Sequence, residues 1–247
     1  MAMLLAAGSV FAGEFALTNN ALQNKITYNG QDLVEKISSK VLAQGEFTPD
    51  AKKSFAPGIS NIWSENPASL FRQEVALAAD KKSVEISFLA YNDAFQRHPG
   101  KTLEIVLPYS FFEGAEYEGL HTNGRFWKTC QGKLTAQTPN GAIDRRLFRF
   151  FTIKKGDTKL IFDFNVQGPA DYFSSWRQYT IRAIWDVRRA GDKLIMRMQT
   201  SLPSSGGFVG AKLRIYEGGF ADYHKLHAWK AFHYNTPQFL RLLRRAQ

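Results

Sequence analysis

Three stretches of this chain alternate apolar and polar residues on both sides of a short polar turn, and they restrict the fold more than any other feature. The clearest runs Leu147–Ile153, turns at Lys154-Lys155-Gly156-Asp157 and returns over Thr158–Val166. A second runs Gln178–Val187, turns at Arg188–Lys193 and returns over Leu194–Thr200. A third joins Glu74–Ala78 to Val84–Ala90 through Ala79–Ser83. A period of two with Gly and Asp in the turn is the pattern of a hairpin with one buried and one wet face. The expectation is an all-β chain, an antiparallel, jelly-roll-like β-sandwich closed by a short C-terminal helix.

Phe15–Tyr28 alternates, Asn29-Gly30 is a hairpin-turn dipeptide, and Gln31–Ile37 is a candidate return strand. Gly45–Pro67 carries three prolines with Gly, Ser and Asn and reads as a long surface excursion holding Trp63. Further strands are expected at Leu70–Ala78, Thr102–Leu107 and Phe208–Tyr216. Pro108–Pro139 is the least regular part of the middle. Thr236-Pro237 is a helix start, with Thr as N-cap, leading into a basic amphipathic segment. The divisions expected are 1–12 as a signal-peptide remnant, 13–235 as the sandwich and 236–247 as a basic tail. Val10-Phe11-Ala12 supplies the cleavage-site pattern, which implies a secreted or periplasmic protein.

At 247 residues, with 20 Phe, 9 Tyr and 5 Trp, the chain can bury a sizeable core as one all-β unit. A formal charge of +10, spread over turns and outward strand positions, fits a solvated surface with protected sheet edges and leaves room for an anionic partner. No segment has the run of about 18 apolar residues that a membrane-crossing helix needs. The single cysteine, Cys130, excludes an internal disulfide and a cysteine-based zinc cluster, and is expected to be a small packed side chain.

The phosphate-loop, dinucleotide and G-x-S-x-G signatures are missing, which weighs against an NTPase, a dinucleotide enzyme or an α/β hydrolase. Chemistry is expected in the irregular loops. Tyr109–Trp127 combines aromatic rings with planar polar groups, the combination that grips a sugar by its apolar face and its hydroxyl rim. Tyr117, His121, Asn123, Arg125 and Trp127 are its candidate ligand-binding residues. Tyr172, Trp176 and Arg177 form a second candidate group in the loop Gly168–Arg177. Glu113, Glu116 and Glu118 include the kind of carboxylates a glycosidase uses. Arg72, Arg125 and Arg177 would suit a lyase's acid-binding role. His224, His227 and His233 are the only metal-like spacing, and their aromatic neighbours favour a packed segment, so no metal and no cofactor are expected. Single-stranded nucleic acid is set aside as a partner.

Leu107–Gly114 followed by Thr138-Pro139-Asn140-Gly141, together with Ile26–Val34, resembles the accessory N-terminal β-sandwich domains of large secreted bacterial glycoside hydrolases. The resemblance covers about half of the chain. It implies a module that supports or extends a carbohydrate site, with a further catalytic domain or partner enzyme. No residue role is carried over from it. The expected function is a secreted, non-catalytic module for polysaccharide or oligosaccharide, an anionic polysaccharide being one candidate. The alternatives are a polysaccharide lyase or glycoside hydrolase on a sandwich scaffold, and a structural or assembly module.

Overall fold

The hairpins place their apolar faces in one core, and a single long strand joins its two sides. The computed structural model describes residues 13–19, 24–41, 45–46, 52–56, 58–64, 71–92, 101–122, 127–164, 184–200 and 207–222. In chain order the strands are β1 (Phe15–Asn19), β2 (Asn24–Tyr28), β3 (Gln31–Val34), β4 (Lys36–Val41), β5 (Gly45–Glu46), β6 (Lys52–Ala56), β7 (Ile59–Ser64), β8 (Phe71–Leu77), β9 (Ser83–Asn92) and β10 (Lys101–Pro108). The short helix α1 (Tyr109–Phe112) precedes β11 (Glu116–Thr122), β12 (Trp127–Lys133), β13 (Gly141–Lys155), β14 (Thr158–Asp163), β15 (Ile184–Ala190), β16 (Lys193–Thr200) and β17 (Gly207–Glu217). The pairings are antiparallel, as hairpin-rich sequence requires, and the architecture is an all-β sandwich.

Strands β1, β2 and β3 form a small sheet, turned at Asn29-Gly30 where both residues adopt positive φ. The remaining strands run β5-β4-β10-β16-β15-β13-β14-β17-β9-β8-β7-β6, with β11 and β12 branching from β13. Phe148 pairs with His121 on one edge and Trp185 on the other, whereas Phe150 pairs with Leu120 and Asp163. One edge of β13 therefore serves β15 in its first half and β14 in its second. Such a strand makes the corner of a sandwich, passing from one layer to the next.

A bulge at this corner resets the side-chain alternation. The β11 register steps from Leu120↔Phe150 to His121↔Phe148, leaving Arg149 as the extra residue. Phe148, Phe151 and Ile153 face the core, while Phe150 and Thr152 face outward. The core rows are in register: Leu103, Met198 and Trp185 lie side by side, as do Ile105, Met196 and Val187. Phe164 stacks on Trp185 with ring centres 4.8 Å apart, and Phe112 meets Phe162 at 5.9 Å. Each such fully buried side chain contributes about 1.5–3 kcal/mol by leaving water.

Gly45–Pro67 departs from the expectation. The excursion contains β5, β6 and β7, and β7 pairs with β8 along its whole length. Its prolines fall outside these strands, at positions 49, 57 and 67, so they punctuate the segment without preventing pairing. The expected signal remnant, the basic tail helix and the three histidines from 224 to 233 lie outside the described residues.

Candidate functional site

Alternation places Glu116 and Glu118 of β11 on the outer face of the sheet, because Tyr117 between them turns inward. Registers on both sides then fix their neighbours. One row reads Lys133, Glu116, Lys154, Lys159 across β12, β11, β13 and β14, and the next reads Gln131, Glu118, Thr152, Ile161. A helical turn over Phe220–Asp222 overhangs these rows, and between them lies an open cleft of about 750 Å³.

The overhang follows from its residues. Gly218 has φ +140°, open to glycine and strained for other residues, and a Cβ there would come within 2.8 Å of the Ile161 Cδ1 atom. The Gly219 N–H donates to Asp222 Oδ2 at 2.8 Å and the Asp222 N–H donates to the Gly219 carbonyl, closing the turn. Phe220 lies on Phe150, ring centres 5.4 Å apart, so the outward Phe created by the bulge anchors the wall of the cleft.

The charges on the floor act on one another. Burial, then the neighbouring Glu116 carboxylate, raise the Glu118 carboxyl above the ordinary range, with Lys154 acting in the opposite direction. The Thr152 hydroxyl donates to the Glu118 carbonyl at 3.2 Å. Beside the cleft, Asp163 is buried and stands in register with Arg214. Burial and then the Asp163 carboxylate push the Tyr216 hydroxyl upward, while Arg214 opposes the shift. Arg214 lies 5.4 Å from the centre of the Tyr216 ring and donates to Ser83 Oγ at 3.2 Å.

The residues expected from sequence are placed unevenly. Tyr117 is 7% exposed and stacks on Phe151 at 5.4 Å, its ring lying close against Gly132, so it backs the cleft from the core side. His121 and Trp127 lie at the loop end of the β11–β12 hairpin, about three residues beyond Glu118. Asn123, Arg125, Tyr172, Trp176 and Arg177 lie outside the described residues. Of the three loop acids, the structure brings Glu116 and Glu118 together in the cleft, while Glu113 ends α1 with its N–H bonded to the Tyr109 carbonyl. Lys133, Lys154, Lys159, Gln131 and Phe220 were not singled out by sequence reasoning. The alternation Glu-Tyr-Glu and the tight turn at Gly156 would have given the lysine row once β11 was known to pair with β13.

Among the described residues no group of three or more His, Cys, Asp or Glu side chains could hold a metal ion, and no helix is long and apolar enough to cross a membrane. Cys130 is half-buried against the core, with Sγ 3.7 Å from the Gly119 carbonyl.

No family model matches the chain, and no curated protein matches it in sequence. Among solved structures, it is similar to a protein from Escherichia coli K12 provisionally named an aldose 1-epimerase, with 8% identity and a TM-score of 0.45 over 84% of this chain and 99% of that one. It is also similar to the α-galactosidase from Lactobacillus brevis, with 8% identity and a TM-score of 0.37 over 86% of this chain and 30% of that one. A third likeness is to the galactosidase domain of an α-galactosidase–sucrose kinase, with 9% identity and a TM-score of 0.34 over 85% of this chain and 32% of that one. The chain thus spans about a third of the length of the last two.

Proposed function

We propose that the protein is a carbohydrate-binding β-sandwich that takes an oligosaccharide across the outer-face cleft. The observation that carries this reading is the composition of that cleft. Glu116, Glu118 and Gln131 offer acceptors and Gln131 and the lysines offer donors, in a cleft that Phe220 also lines. A sugar needs both kinds of contact, since its hydroxyls lie at the edge and its C–H bonds form an apolar face. His121, Asn123, Arg125 and Trp127, from the next stretch of sequence, belong to this proposal as a further aromatic-polar group. Tyr172, Trp176 and Arg177 belong to the same proposal as a second aromatic-polar loop. Export to the periplasm or medium, and action beside a catalytic partner, complete it.

Retention on a panel of immobilised neutral and acidic polysaccharides tests this reading. Retention that falls at least tenfold in Gln131→Ala combined with Phe220→Ala, with the fold intact by circular dichroism, is the expected result. Unchanged retention in that variant removes the cleft from consideration.

A second reading has its own observation. Glu116 and Glu118 sit two residues apart on one strand face, so their Cα atoms are about 6.6 Å apart, and Glu118 is the more readily protonated than an ordinary carboxyl. That pair would serve a glycoside hydrolase, with Glu118 as general acid. New reducing ends in the same incubations, lost in Glu118→Gln, would favour hydrolysis over simple binding.

A further inference from the structure

Several lysines elsewhere on this surface are matched to acids. Lys25 pairs with Asp32 at 2.8 Å, Lys193 with Glu35 at 2.8 Å and Lys212 with Glu85 at 2.6 Å. Two lysines of the cleft are not matched in this way. Lys154 and Lys159 stand directly opposite each other in the β13–β14 register, and both are exposed. Directly opposed like charges on one face of an antiparallel pair are destabilising, because their Cβ atoms are only about 5 Å apart. Among the described residues neither lysine has an ion-pair partner within 4 Å.

The acids of the cleft do not cancel this pair. Asp222 is engaged by the Gly219 N–H. The row holds one acid, Glu116, between Lys133 and Lys154, and no acid stands in register on the far side of Lys159. Glu118 lies one row away, diagonal to Lys154 and two strands from Lys159. Beyond Lys159 the row ends at the overhanging turn, since the Gly218 N–H donates to the Lys159 carbonyl at 3.1 Å. The two lysines therefore sit next to the wall that carries Phe220.

We infer that Lys154 and Lys159 form a subsite for an acidic substituent, a carboxylate or sulfate carried on a sugar ring that rests against Phe220. The inference rests on the saccharide reading of the cleft and narrows it from sugars in general to acidic ones. An anion between the two ammonium groups turns a repulsive pair into two charge-assisted contacts, which are the stronger class of hydrogen bond. The sites of the two contacts are fixed by strand register, so the acidic group and the ring face are read together.

Matched oligosaccharides that differ only in the acid group test the assignment: galacturonan against its methyl ester, hyaluronan against its carboxyl-reduced form, and carrageenan against its desulfated form. Isothermal titration is run on the full chain and on the Lys154→Gln/Lys159→Gln double variant, with inorganic sulfate as a separate arm. The expected result is that the acidic member of at least one pair binds roughly tenfold more tightly, and that added NaCl erodes the advantage. The double variant should lose that advantage, so that the acidic and neutral members of a pair bind it equally well. Equal binding of acidic and neutral members, or an acid preference that survives in the double variant, overturns the subsite while leaving the saccharide reading intact. Sulfate alone binding as tightly as the acidic sugars overturns the sugar-borne assignment. Failure of every acidic and neutral member to bind overturns the saccharide reading and the subsite with it.

Discussion

The guanidinium of Arg189 lies 4.1 Å from the centre of the Tyr109 ring, and its Nη1 also donates to the carbonyls of Ala136 at 2.8 Å, Thr135 at 3.3 Å and Thr138. The Tyr109 hydroxyl donates to the same Thr135 carbonyl at 2.7 Å, and Asn140 Oδ1 accepts the Gly191 N–H at 2.8 Å. Three segments distant in sequence are thus tied at one point: α1, the loop before β13 and the β15–β16 turn. Arg189→Ala is expected to lower stability by about 2 kcal/mol, combining a cation–π contact with hydrogen bonds from a charged donor. Tyr109→Phe should cost about 1 kcal/mol through the lost hydroxyl bond. Urea denaturation midpoints measure both.

Gly119 faces the core at the corner of the sandwich, and a Cβ there would lie 2.7 Å from Phe148 Cε1 and 3.2 Å from the Phe150 carbonyl. Phe148 is itself packed edge-on against Phe151 at 5.3 Å and has little room to move. Gly119→Ala should therefore destabilise by about 2 kcal/mol through overpacking. Phe148→Leu in the same chain should recover part of the loss, which thermal unfolding of the single and double variants would show.

The raised Glu118 carboxyl sets a pH dependence with a definite sign. In the unfolded chain this group ionises in the ordinary range, whereas in the fold it holds its proton to higher pH. Between those two points the folded state binds more protons, so this group's stabilising contribution is present at low pH and is lost as pH rises through its folded value. Glu118→Gln should flatten that part of the stability profile and leave the protein at least as stable at neutral pH. Thermal midpoints recorded from pH 4 upward compare the two.

Tyr28 and Tyr216 give the alkaline counterpart. Burial, followed by the hydrogen bond to Glu217 and its charge, raises the Tyr28 hydroxyl, with Asn29 opposing; Tyr216 rises through burial and Asp163. Both should stay protonated where ordinary tyrosines, near pH 10, ionise. Their stabilising contribution is complete below that range and lost above it, so unfolding at high pH should coincide with a late step in the tyrosine absorbance titration. Tyr28→Phe and Tyr216→Phe should each reduce the amplitude of that step; an unchanged amplitude would contradict the assignment.

Much of the sheet was legible because short-range chemistry determines it. Asn29-Gly30 and Gly156-Asp157 turn where the sequence says they should, and β8–β9 and β15–β16 follow the alternation. The β5–β7 strands were less legible, since Pro49 and Pro57 suggest a break while only pairing with β8 shows that the strands between them belong to the sheet. The cleft was half legible. Glu116 and Glu118 advertise themselves as a pair on one face, but their lysine neighbours come from strands up to about forty residues away and depend on the β11–β13 register. The Arg149 bulge has no sequence signature, and without it Phe150 would be counted as core in place of anchoring Phe220.

The shared edge of β13 also bears on how this molecule can be divided. A strand that belongs to both layers leaves no seam among the described residues along which the sheet could be cut into two self-sufficient halves. A break between Gly141 and Lys155 would strip β15 of one neighbour and β14 of another, exposing two unpaired borders at once. Complementation by split fragments should thus succeed only when the break falls clear of that strand.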